Sequence, residues 1–225
     1  LLSNRHNHYQ RIKVIVMLLS IIYIIAITAE AMTGALAAGR RQMDLFGVII
    51  IACVTALGGG TIRDVVLGHY PLSWVEHPKY LAYTVTAALL TILLAPIMHY
   101  LRKPFLVLDA LGLVAFTLIG CAIALEMNQS FSIAVISGMI TGVFGGVLRD
   151  VLCNEIPLVF RKELYAVVSL LTGVAYVSLL TLNVHADTAM VSCLIGGFLL
   201  RLCAIHFGWE MPKFVYRDPN TPDER

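Results

Sequence analysis

Charge is what this chain has least of. Acidic and basic residues together make up 13% of its 225 amino acids, against about 25% in an ordinary soluble domain. Apolar residues fill 59%. So little polar surface cannot coat a water-soluble globule of this size, which excludes a soluble enzyme domain and a disordered chain. Basic residues number 16 and acidic ones 14, so there is no clustered positive charge for nucleic acid to meet. The cysteines, Cys53, Cys121, Cys153, Cys193 and Cys203, have no C-x-x-C spacing and lie in or beside apolar runs. They read as small buried apolar residues rather than a disulfide framework. No histidine sits at metal-ligand spacing from another His, Cys or acid inside an apolar run. Nucleophile-elbow, zinc-protease and phosphate-loop patterns are missing too. The expectation is a membrane protein that is not an enzyme and carries no metal or organic cofactor.

What the chain does have is long apolar runs. A helix crosses a bilayer with about 20 apolar residues. Seven runs qualify, at about 13–38, 45–67, 80–101, 105–125, 131–153, 163–183 and 188–208. Leu45 to Ile62, Tyr80 to Met98 and Phe131 to Leu148 carry no charge at all. The first run is too long for a cleaved signal peptide, and Gly39, Arg40 and Arg41 after it are no cleavage site. The chain starts with leucine, so a longer natural N-terminus is expected. Trp74, Trp209, Tyr9 and Tyr100 fall where interfacial aromatic belts would lie. The loops are short, so their cations set orientation. Five lie on the side of the N-terminus, and eleven on the side of the C-terminus, among them Arg40, Arg41, Arg102, Lys103, Arg161 and Lys162. The richer side should be cytoplasmic. This predicts a multi-pass protein of the bacterial inner membrane with its N-terminus out and its C-terminus in.

The chain also repeats itself at an offset of 86 residues. Gly59-Gly60 matches Gly145-Gly146, Arg63-Asp64-Val65 matches Arg149-Asp150-Val151, and Pro71 matches Pro157. The same offset pairs Ala29 with Ala115, Gly34 with Gly120, Thr55 with Thr141 and Thr86 with Thr172. Each copy holds three spans. An odd number makes the second copy run the opposite way through the membrane, the inverted repeat of transport proteins. The predicted fold is therefore an all-α membrane protein of seven transmembrane helices. A polar segment (1–12) precedes a three-helix repeat (13–101) and its inverted copy (105–183); a seventh helix (188–208) and a cytosolic tail (209–225) follow.

Within each repeat one helix carries the chemistry. The second span holds Gly58, Gly59 and Gly60 near its middle, and the fifth holds Gly145 and Gly146. Glycine costs about 1 kcal/mol per residue in a helix interior relative to alanine, so neighbouring glycines favour a kink or a break. Broken backbone at membrane depth lines a wet cavity or is buried in protein. Freed carbonyls there suit a cation, while the N-terminus of the following half-helix suits an anionic group. Close helix packing is the plainer account of such glycines. Three residues after each glycine pair stands Arg63-Asp64 or Arg149-Asp150. Ionisable groups near a bilayer centre cost at least about 2.5–3.5 kcal/mol each and usually face a cavity or a partner. Neighbours on a helix do not face each other, so each arginine is expected to pair elsewhere and each aspartate to line the path or brace the break. Glu30 reads as a cation site or an arginine's partner, without an acidic counterpart, since Phe116 takes its place in the repeat. Asp109 is expected at an interfacial helix start, and Arg201 to reach for the interface.

The segments A-E-A-M-T-G-A-L-A-A-G-R-R-Q-M-D-L-F-G-V, T-A-L-G-G-G-T-I-R-D-V-V-L-G, L-D-A-L-G-L-V-A-F-T-L-I-G and G-G-V-L-R-D-V-L resemble the bacterial trimeric intracellular cation (TRIC) channel family, also catalogued as glycine-transporter-like. The C-terminal R-L-C-A-I-H-F-G-W-E-M-P-K-F does as well. The resemblance covers about 12–215. It implies a homotrimer in the lipid bilayer, each protomer with its own hourglass path for K+ or Na+ between kinked second and fifth helices. Gly58, Gly59, Gly60, Asp64, Gly145, Gly146 and Asp150 would frame that path, with Arg63, Arg149 and Glu30 gating or bracing it. Animal members use a phosphoinositide and a lysine-containing motif; no span centre here carries a lysine, although a lipid ligand is left open. Passive conduction of monovalent cations is the leading expectation, and a carrier for glycine or another small amino acid the alternative.

Overall fold

The computed structural model describes residues 2–94, 102–161 and 164–209, with side chains described for 20–94, 105–160 and 164–209. Among them nine helices account for the regular structure: α1 (Leu2–Arg40), α2 (Leu45–Leu67), α3 (Ser73–Glu76), α4 (Lys79–Leu93), α5 (Arg102–Glu126), α6 (Phe131–Leu152), α7 (Leu158–Arg161), α8 (Tyr165–Thr181) and α9 (Ala186–Phe207). The seven long ones fall on the seven apolar runs. α1 extends back through the polar segment, which was expected to lie outside the first helix. α3 and α7 were not anticipated; each is a single turn in the loop after a glycine-motif helix. The end of the third run (95–101), the side chains of Tyr9 and Tyr100, and the tail beyond Trp209 lie outside the described residues.

Among the described residues five stretches are long and apolar enough to cross a membrane: Ser20–Arg40, Leu45–Leu67, Phe105–Glu126, Phe131–Leu152 and Ala186–Phe207. α4 and α8 are apolar but shorter. The chain is a multi-pass helical membrane protein. Its outward faces carry large apolar side chains, such as Phe46, Leu93, Phe160 and Leu182, a surface that suits lipid and not water.

Helix ends are set by local chemistry. Asp44 caps α2, its carboxylate accepting from the Gly47 amide at 2.7 Å. Gly68 ends the same helix at φ 68°, a left-handed conformation that glycine adopts without a Cβ penalty. α1 and α5 are the interior helices: 67% and 72% of their apolar windows are buried, against 33–50% for α2, α6 and α9. α2 packs on α1 and α6 on α5, and α2 and α6 pack on each other. α4 closes the first group against α1 and α2, α8 the second against α5 and α6, and α9 lies against α5 and α8.

Candidate functional site

The two glycine-motif helices meet backbone to backbone. A Cβ on Gly59 would collide with the Thr141 carbonyl oxygen, and one on Gly145 with the Thr55 carbonyl oxygen. The contacts are reciprocal, and they show that α2 and α6 run antiparallel. Arg63 and Arg149 therefore lie on opposite sides of the crossing. The flanking helices dock by the same device. A Cβ on Gly34 would stand 2.8 Å from Ala52 Cα, and one on Gly120 would stand 2.8 Å from the Ser137 carbonyl oxygen.

Neither helix breaks. α2 stays helical from Leu45 to Leu67 and α6 from Phe131 to Leu152, so no carbonyls are freed at the glycines in this conformation. The expected break is replaced by its plainer alternative, close approach of two helices. Each glycine has its own role. Gly59 and Gly145 let the backbones touch. Gly60 and Gly146 lie beside the arginine one turn later: a Cβ on Gly60 would touch Arg63 Nη2 at 3.6 Å, and one on Gly146 would touch Arg149 Nη2 at 3.5 Å, both ordinary van der Waals contacts. Gly58 faces the Leu148 side chain.

Arg63 does not pair with a distant helix as expected. Its side chain curls back to its own neighbour, Nε and Nη2 donating to Asp64 Oδ1 at 2.9 and 2.6 Å. The reach of the guanidinium overrides the rule that neighbours on a helix point apart. Nη2 also donates to Ser73 Oγ at 2.9 Å. Asp64 Oδ2 in turn accepts from the Ser73 amide and hydroxyl, each at 2.8 Å, while His69 Nδ1 lies 3.1 Å from Oδ1. Arg63 and Asp64 are 1% and 0% exposed. The pair thus ties the end of α2 to the start of α3.

Arg149 repeats the pattern and adds to it. Nε donates to Asp150 Oδ1 at 2.8 Å, and Asp150 Oδ2 accepts from the Leu158 amide at 2.9 Å, tying α6 to α7. Nη1 donates to Asp109 Oδ1 at 2.8 Å and to Thr33 Oγ1 at 3.1 Å. Thr33 Oγ1 donates to Glu30 Oε2 at 3.0 Å, and Glu30 Oε2 itself lies 3.9 Å from Nη1. An acid from another helix therefore answers Arg149 but not Arg63. Asp109 is no interfacial cap: it lies inside α5, 1% exposed, against Arg149. Nor does Arg201 reach for the interface. It is buried, its guanidinium 4.8 Å from the Tyr165 ring centre. Phe105 lies between the guanidinia of Arg40 and Arg149, at 4.4 and 5.0 Å.

The two centres share the G-G-x-x-R-D run but not the charge around it. The repeat places Tyr23 at the position of Asp109 and Phe116 at that of Glu30. One carboxylate answers Arg63; three surround Arg149. Several buried polar atoms at these centres have no hydrogen-bond partner among the described residues, namely Arg63 Nη1, Arg149 Nη2, Asp109 Oδ2 and Tyr165 Oη. No group of three or more His, Cys, Asp or Glu among the described residues is arranged to hold a metal ion. Sequence reasoning missed Thr33, His69, Ser73 and Tyr165. Their only signal was position, since Ser73 follows the matched Pro71 and Tyr165 opens its helix.

Comparison with known proteins fits this geometry. A family model described as "Glycine transporter" matches twice, over residues 20–96 and 106–181, the second match starting 86 residues after the first. A membrane protein of Vibrio cholerae, named UPF0126 membrane protein, is 42% identical over 82% of this chain and 78% of its own length. The UPF0126 inner membrane protein YadS of Escherichia coli is 40% identical over 85% of this chain and 94% of its own. Among solved structures, the TRIC trimeric intracellular cation channel orthologue from Rhodobacter sphaeroides superposes with a TM-score of 0.82 at 35% identity, over 85% of this chain and 98% of that one. The chain belongs to this family of membrane proteins, the bacterial TRIC family that the glycine transporter model describes.

Proposed function

We propose that the protein is a passive channel for monovalent cations, K+ or Na+, in the bacterial inner membrane. One observation carries this reading: buried arginine–aspartate centres stand on either side of an antiparallel glycine crossing, on a fold shared with solved TRIC cation channels. Seven membrane spans are built as two inverted three-helix repeats and a seventh helix, with the N-terminus out and the C-terminus cytoplasmic. Three copies assemble, each with its own path bounded by α2 and α6. Buried polar atoms with no partner among the described residues need an explanation, and a polar passage supplies one. Asp64 and Asp150 brace the turns that follow the path, Arg63 and Arg149 hold them, and Glu30 and Asp109 add negative field on one side. At the crossing the helices touch, so conduction requires them to part or bend there, where glycine makes bending easy. No cofactor is required.

A carrier for glycine or a similar small amino acid is the second reading, favoured by the description of the matched family model. Purified protein in a planar bilayer under a KCl gradient separates the two. Discrete current steps reversing near the K+ potential are expected. A silent bilayer together with uptake of radiolabelled glycine into proteoliposomes of the same preparation would replace the channel by the carrier.

A further inference from the structure

We propose that a cavity at the Arg63 end is a binding site for a small organic ammonium ion. The cavity measures about 250 Å³ and lies between α1, α3, the start of α4 and the end of α5. Pockets for drug-sized ligands begin at about 300 Å³, so its occupant has only a few heavy atoms.

Its wall is aromatic. Tyr23 and Tyr80 line it, their ring centres 4.4 Å apart, and His77 stands edge-on to Tyr80 at 5.3 Å. Tyr23 in turn meets Phe116 at 6.0 Å. The rings run in one line from exposed His77 to buried Phe116. Glu76 and Glu126 also line the cavity; they come from α3 and α5, and both are exposed. His69 completes it from the side of Asp64.

Among the described residues that line the space there is no lysine or arginine. The nearby guanidinium of Arg63 is already answered by Asp64. Two carboxylates in the described lining, with no cation among those lining residues, favour positive charge. The rings then select among cations. A bare alkali ion wants a shell of oxygen ligands, whereas an ammonium with apolar substituents is attracted to the face of an aromatic ring. The chain makes this contact itself, since Lys79 Nζ lies 5.7 Å from the Tyr80 ring centre. An amino-acid zwitterion would bring its carboxylate towards Glu76 and Glu126, so this is not the site a glycine carrier would use. The inference does not rest on conduction, because it concerns binding alone.

The test is calorimetric titration of the whole protein with choline in an uncharged maltoside detergent, at constant ionic strength. 3,3-Dimethylbutanol, the neutral isostere of choline, is titrated alongside. Saturable heat is expected for choline and none for the alcohol. The double variant Glu76→Gln/Glu126→Gln alters only exposed side chains and should bind choline about fivefold more weakly. Tyr80→Phe keeps the ring and should bind within about twofold of the parent. Absence of saturable choline binding, equal heat from the alcohol, or unchanged affinity in the double variant would each overturn the proposal.

Discussion

Gly59 and Gly145 face each other across the crossing of α2 and α6, so closely that a Cβ on Gly59 would stand 3.2 Å from the Gly145 nitrogen. Alanine at either position has to push two helical backbones apart. Overpacking of this kind typically costs about 1–3 kcal/mol. Gly59→Ala and Gly145→Ala should each lower the thermal midpoint in detergent and reduce flux. Gly196 has open space where its Cβ would be, so Gly196→Ala should match or slightly exceed the parent, as helix propensity favours alanine. Equal midpoints for all three variants would mean that the crossing is not tightly packed.

Arg149 depends on Asp109 as much as on Asp150, at 2.8 Å from each. Removing one member of a buried ion pair typically costs about 3–5 kcal/mol, because the other charge is left behind. Asp109→Asn should therefore destabilise the protein about as strongly as Asp150→Asn. Glu30 lies 3.9 Å from the guanidinium, and Glu30→Gln keeps a hydrogen-bond acceptor for Thr33. Its loss of stability should be clearly smaller. Chemical denaturation of the three variants in one detergent ranks them; a Glu30 variant as unstable as the Asp109 variant would contradict the assignment.

The motif aspartates should also be visible in local dynamics. Asp64 holds the Ser73 amide and Asp150 the Leu158 amide. Asn can still accept one hydrogen bond but loses the charge that binds the arginine. Asp64→Asn should speed amide exchange in residues 68–76 and leave 153–161 unchanged. Asp150→Asn should do the reverse. Hydrogen-exchange mass spectrometry reads both segments at once, and exchange that rose equally in both would remove the bracing role.

Arg41 pairs with Glu155, linking the loop after α1 to the loop after α6. Both side chains are 41% exposed. An exposed pair contributes about 0–1 kcal/mol, so Glu155→Ala should shift stability little and raise of the salt concentration should shrink that difference further. A loss above about 2 kcal/mol would show that the pair does more than its exposure allows.

The apolar runs were enough to find the long helices, because apolar stretches of span length have few alternatives in a chain so poor in charge. The offset of 86 marks both arginine–aspartate centres in the sequence itself. The role of the glycines was harder to read, since the same residues serve a broken helix and a close crossing; only the partner helix tells them apart. The pairing of Arg63 with Asp64 was hidden for a different reason. Helical geometry separates adjacent side chains, but a guanidinium at the end of a long flexible stem can turn back. Asp109 and Arg201 looked interfacial by their distance from span ends, and tertiary packing of α5, α6, α8 and α9 buries them instead. Thr33, Ser73 and Tyr165 carry no pattern of their own, so the fold alone could bring them in.

The unequal charge of the two centres has an electrical consequence. The same G-G-x-x-R-D run stands on either side of the glycine crossing, yet three carboxylates surround one arginine and a single carboxylate the other. A cation reaching the crossing past the three-carboxylate centre passes a different buried field from one reaching it past the other centre. In symmetrical salt the current–voltage relation should therefore bend, with larger current in one direction. The direction of that rectification would report which way the molecule sits in the membrane, without any label on its termini.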